Sequence, residues 1–103
     1  MALDLFCYCS QELALVESTR LKAAAVFRER FGDGLIAYEA KEAVDIHREI
    51  AGEFGLEATL WFLISVNDKQ SLAPKLSDVV EILRDLFSEE SIVVLLNNES
   101  AIR

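Results

Sequence analysis

Two nearly unbroken apolar runs, Ala58-Thr59-Leu60-Trp61-Phe62-Leu63-Ile64-Ser65-Val66 and Ile92-Val93-Val94-Leu95-Leu96, stand out in this chain. Both are too short for buried helices and rich in β-formers, which predicts strands. The first has no polar side, so it is expected in the middle of a sheet, covered on both faces. Leu3 to Cys9 predicts a third strand with period two: Leu3, Leu5, Cys7 and Cys9 fall on one side, Asp4, Phe6 and Tyr8 on the other. Leu35 to Ala40 is a weaker strand with Glu39 near its end, which suits a sheet edge.

Between these runs the period changes to that of a helix. From Gln11 to Phe31 the positions Leu13, Val16, Thr19, Ala23, Val26, Phe27 and Phe31 gather on one arc, with Ser10 placed to cap the start and Gly32-Asp33-Gly34 to stop it. Arg20 and Arg30 intrude on that arc, where their stems are expected along the core edge with the guanidinium in water. Residues 41–54 predict a second helix with Ala43, Val44, Ile46, His47, Ile50, Ala51 and Phe54 inward and Gly55 as its C-terminal cap. His47, mid-stripe, reads as a packed histidine, since no Cys or Asp is spaced to join it as a ligand. Pro74 opens a third helix that runs to about Phe87.

Strands alternating with helices imply crossover connections and a mainly parallel sheet. The expectation is therefore one α/β domain over residues 1–103 with a four-stranded, mainly parallel sheet. The order strand-helix-strand-helix-strand-helix-strand, with the strands arranged 2-1-3-4, is half of a flavodoxin-like fold. The alternative is a ferredoxin-like or other α+β sheet with one antiparallel strand. A chain of 103 residues suits one core. Its apolar runs fall short of the roughly 20 residues a membrane-spanning helix needs. Met1-Ala2-Leu3-Asp4 carries no basic region, so no signal peptide is expected and the cytosol is the default compartment.

Net charge is −8, which argues against nucleic acid as a partner and favours a basic protein. Residues 1–34 contribute −1 of this and residues 35–103 contribute −7. Helical spacing places Glu42, Asp45, Glu49 and Glu53 on one outward stripe and Asp78, Glu81 and Asp85 on another. With both helices on one sheet face, as the parallel arrangement predicts, these seven carboxylates form one acidic face and are the candidate partner-binding residues.

The candidate chemistry is thin. Cys7 and Cys9 on one strand cannot easily bridge, do not match the Cys-x-x-Cys redox pattern, and as a bare thiol pair make no metal site. Reduced, buried thiols suit a cytosolic protein. No cofactor or metal and no catalytic constellation is predicted. In the parallel arrangement a ligand crevice would hold Cys9, Ser10, Gln11, Asn67 and Asp68. Phe6-Cys7-Tyr8-Cys9-Ser10 resembles the entry to the phosphocysteine loop of the small phosphotransferase-system IIB proteins, which would imply a phosphocarrier or thiol enzyme using Cys7 or Cys9. Tyr8, Gln11 and Glu12 stand where that loop is small and glycine-rich. Asp68 lies near the position of the phosphoacceptor in response-regulator receivers, yet Cys9-Ser10-Gln11 replaces their paired acids. In size, acidity and compartment the chain resembles bacterial immunity proteins, which implies a non-enzymatic module that binds and neutralises a cognate toxin domain.

Overall fold

The computed structural model describes residues 3–67, 69–96 and 100–101. Its strands are β1 (Leu3–Cys9), β2 (Leu35–Ala37), β3 (Lys41–Glu42), β4 (Leu60–Val66), β5 (Ile92–Leu96) and β6 (Ser100–Ala101). Its helices are α1 (Leu13–Phe31), α2 (Asp45–Gly52), α3 (Lys69–Leu72) and α4 (Leu76–Phe87). The sheet runs β2-β4-β1-β5-β6, with β3 also paired to β4.

Every pairing in the sheet is antiparallel, so the mainly parallel flavodoxin-like sheet expected from the sequence is wrong. The reason lies in where the crossovers return. Since β1 and β2 are both antiparallel to β4, they run in the same direction with β4 between them, joined through α1. Likewise β4 and β5 run together on either side of β1, joined through α4. Two split β-α-β units are thus interleaved, the β-α-β-β-α-β arrangement of ferredoxin-like sheets. Here α2 is added between β3 and β4.

Strand alternation divides the core in two. Leu5, Cys7, Cys9, Phe62, Ile64, Val66 and Val94 face Val16, Ala23 and Phe27 of α1 and Val79, Val80 and Leu83 of α4. On the other face Tyr8 and Leu95 pack with Ala51 of α2 and with Ala43, Leu56 and Ala58, joined by half-buried Phe6, Trp61, Val93 and Ile50. β4 is second from the edge, and its burial alternates: Leu60, Phe62, Ile64 and Val66 are sealed, while Trp61, Leu63 and Ser65 are half-buried.

Helix lengths explain this asymmetry. At 1.5 Å per residue, α1 and α4 are about 28 and 18 Å long, whereas the eight residues of α2 span only about 12 Å. Seven residues of β4 extend roughly 23 Å, so α2 covers about half of the face it lies on. The second helix is shorter than the sequence pattern indicated because Lys41 and Glu42 join the sheet as β3. As a result Val44, Ile46 and Phe54, expected inward, are exposed. Gly55 does close this segment, with φ of 81° and its N–H donating to Gly52 O. Ser10 does not cap α1, whose N-cap is Glu12 without a side-chain hydrogen bond.

Arg20 is not simply solvated at the core edge. Its Nε donates to Glu17 Oε2 at 2.5 Å and an Nη to Glu17 Oε1 at 3.1 Å, while its other Nη donates to Ala37 O at 3.0 Å. Glu17 Oε2 also accepts from Ala40 N–H at 3.2 Å. The pair thus holds backbone groups of the edge segment between β2 and β3. The Arg20 hydrogen bond, with the Ala40 amide adding to it and burial opposing, holds the Glu17 carboxyl below its ordinary 4.5.

Two stability measurements follow. Phe62→Ala should cost about 3–5 kcal/mol, whereas Leu63→Ala, on the half-covered face, should cost on the order of 1–2 kcal/mol. Equal losses in chemical denaturation would contradict the two-sided description. Because the Glu17 carboxyl is depressed in the fold, its contribution is present above about pH 4.5 and lost as pH falls through the folded value. The stability gap between wild type and Glu17→Gln should therefore close on acidification, which urea titrations at pH 6 and pH 3 would show.

Candidate protein-binding surface

With β1 and β4 antiparallel, the carboxyl end of β1 at Cys9 lies beside Leu60, at the start of β4. Asn67, past the other end of β4, donates its N–H to Gly34 O instead. The crevice proposed to gather Cys9, Ser10, Gln11 and Asn67 therefore does not exist, and Asp68 lies outside the described residues. Antiparallel pairing sends successive carboxyl ends to opposite edges, which removes the switch-point cleft of a parallel sheet.

Both thiols are fully covered and face α1 and α4. Burial pushes Cys7 well above its ordinary value, with Cys9 adding to it, and pushes Cys9 up to about 12. A nucleophilic cysteine needs a lowered pKa and access to its substrate; these two have neither. The phosphocarrier reading thus loses both its cradle and its nucleophile. Among the described residues no group of three His, Cys, Asp or Glu side chains is placed to hold a metal ion. No helix among them is long and apolar enough to cross a membrane.

The seven candidate carboxylates are all exposed, but they do not form one face. Because α2 and α4 pack on opposite sides of the sheet, Asp45, Glu49 and Glu53 are separated from Asp78, Glu81 and Asp85. Glu42 joins neither group: it pairs with Leu60 on β4 and lines a depression with Glu12 and Thr59. The α4 group borders a groove against α1 that also receives Arg30 and Lys75, so three carboxylates there are offset by two cations. On the α2 side, Asp45, Glu49 and Glu53 share their segment with Arg48, and Glu39 and Lys41 line the neighbouring cleft.

Sequence periodicity missed the surface beside α2. On the face α2 leaves open, Tyr38, Glu39, Lys41, Trp61, Leu63 and Ser65 line a cleft of about 430 Å³. Register explains the grouping: Lys41 pairs with Trp61, Ile36 with Ser65, and Tyr38 N–H donates to Leu63 O. Phe6 stacks on Trp61 with ring centroids 6.0 Å apart. His47 of α2 lies 4.6 Å from Trp61 and 6.2 Å from Tyr8, centroid to centroid, and its Nδ1 accepts the Val44 N–H at 3.1 Å. It is the packed histidine the sequence indicated, placed at the wall of the aromatic cluster. The signal for this surface was already present in the lack of a polar side on β4.

A split β-α-β sheet with sealed thiols, a half-open aromatic face and carboxylates on its flank is the architecture of a small binding module. The chain belongs to the CDI System Immunity Component family, whose model matches residues 1–100. It is 38% identical over 99 residues to immunity protein CdiI-2 of Burkholderia pseudomallei strain 1026b, covering 96% of this chain and 97% of that protein. It is also similar to a chain of the solved CdiA-CT/CdiI toxin and immunity complex from Burkholderia pseudomallei. There the TM-score is 0.88 at 36% identity, with 97% of this chain and 96% of that one covered.

Burial holds the His47 imidazole below its ordinary 6.5. Its neutral form is thus favoured in the fold, and protonation would also break the Val44 hydrogen bond. That stabilisation should be present above about pH 6.5 and lost as pH falls through the lower, folded value. Trp61, the single tryptophan, reports it: its fluorescence should change over that lower range in wild type and stay flat in His47→Phe. A transition retained in the variant would assign it to another group.

Proposed function

We propose that this chain neutralises a cognate toxin domain by binding it and blocking its active site, with no chemical step of its own. The similarity over nearly the whole chain to a component of a solved toxin and immunity complex carries this reading. The fold agrees with it, since the only two thiols are buried inside the core. We take the partner to be a basic protein rather than nucleic acid, on the strength of the net charge of −8. Two free, buried cysteines suit a reducing cytosol as the place of action.

Of the two acidic groups, the one on α2 is the better candidate for capture. Asp45, Glu49 and Glu53 belong to the helix segment that packs on the half-open sheet face, whereas Asp78, Glu81 and Asp85 line a groove shared with Arg30 and Lys75. Glu42 lies apart and contributes only to the general field. Exposed carboxylates of this kind act mainly on the association rate, and salt screens them over a Debye length of about 8 Å at physiological ionic strength.

The double reversal Asp45→Lys/Glu49→Lys should slow association with the purified cognate toxin domain by about tenfold at low salt while leaving the melting temperature nearly unchanged. The reversal Asp78→Lys/Glu81→Lys should have a smaller effect. Stopped-flow association across a salt series checks this: rates indifferent to salt and to the α2 reversals would remove electrostatic capture, and a larger effect at α4 would move the surface there.

A further inference from the structure

The half-covered sheet face is where the sequence and the packing disagree. The run Leu60 to Val66 offers apolar or aromatic side chains to both faces, and its pattern asks for cover on each. One face has that cover from α1 and α4. The other has only α2, and past its end Ile36 is 42% and Tyr38 48% exposed, beside half-buried Leu63 and Phe6. Contiguous apolar exposure with aromatic members and a polar rim is the character of an interaction surface, and buried Tyr and Trp anchors commonly supply most of an interface's energy.

We infer that this open face, centred on Tyr38, Trp61 and Leu63, is the anchoring surface for the toxin domain, receiving an apolar side chain of that partner in the cleft that Tyr38, Lys41, Trp61 and Leu63 line. This rests on the toxin-binding reading given above and deepens it by assigning the site. Charge selects the occupant. A second copy of the chain would bring a net charge of −8 against another of −8, and like charges so paired are costly. A basic partner meets the same rim with opposite charge, so the acids guide approach while the aromatic floor holds the complex. The two roles separate kinetically: rim charges set association, and the anchor sets dissociation.

The test uses the full chain and the purified cognate toxin domain in an inactive form, with Tyr38→Ala and Ile36→Ser as variants. Both side chains are exposed, so melting temperatures should stay near wild type; if one variant unfolds, the other decides. Each should dissociate at least tenfold faster, with the change insensitive to salt, and Tyr38→Phe should restore slow dissociation. Wild type bound tightly with both variants unchanged would overturn the anchoring site and leave toxin binding standing. Wild type that fails to bind the toxin domain would overturn both. Sedimentation showing a wild-type dimer that Tyr38→Ala dissociates would make a second copy the occupant and refute the assignment to the toxin.

Discussion

The antiparallel pairing of β1 with β4 over seven residues is the constraint the rest of the molecule depends on, because it decides what lies on each side of each strand. With β4 inserted between β1 and β2, and β1 between β4 and β5, neither β-α-β unit can form its part of the sheet without the other. The pairing sets Cys7 against Phe62 and Leu5 against Ile64 in a single apolar layer beneath α1 and α4. The same register turns Phe6, Tyr8 and Trp61 to the opposite side, which α2 is too short to cover. The sealed core and the open aromatic face therefore have one cause.

Much of this was legible from residue pattern. The strand limits at Leu3–Cys9 and Ile92–Leu96 follow from period and composition, as does the end of α1 at Phe31 before a glycine pair. Strand direction was not, for a physical reason: amphipathic helices and apolar strands look the same whether a crossover returns to the adjacent position or skips one. Lys41 and Glu42 were also opaque, because two charged residues at a sheet edge have no hydrophobic signature and helical spacing claimed them instead.

The candidate site divides along the same line. Which carboxylates are exposed depends on local spacing, and all seven are exposed, Glu42 on β3 among them. Which of them share a face depends on where each helix packs: the parallel topology expected from the sequence put Asp45 and Glu49 beside Asp78 and Glu81, and the packing of α2 and α4 on opposite sides of the sheet separates them. The aromatic face was announced by the apolar character of Trp61 and Leu63 but hidden by the assumption that an apolar strand must be covered from within its own chain. Family membership and the solved toxin and immunity complex supply a reason why that cover can come from another molecule.

The link from Glu17 and Arg20 to Ala37 O and Ala40 N–H occupies main-chain groups at the β2–β3 margin that would otherwise template an incoming strand. Strand addition across Ala37 and Ala40 is thereby opposed by a charged latch. The strand ladder thus ends at this margin on a side-chain ion pair instead of on open main-chain groups.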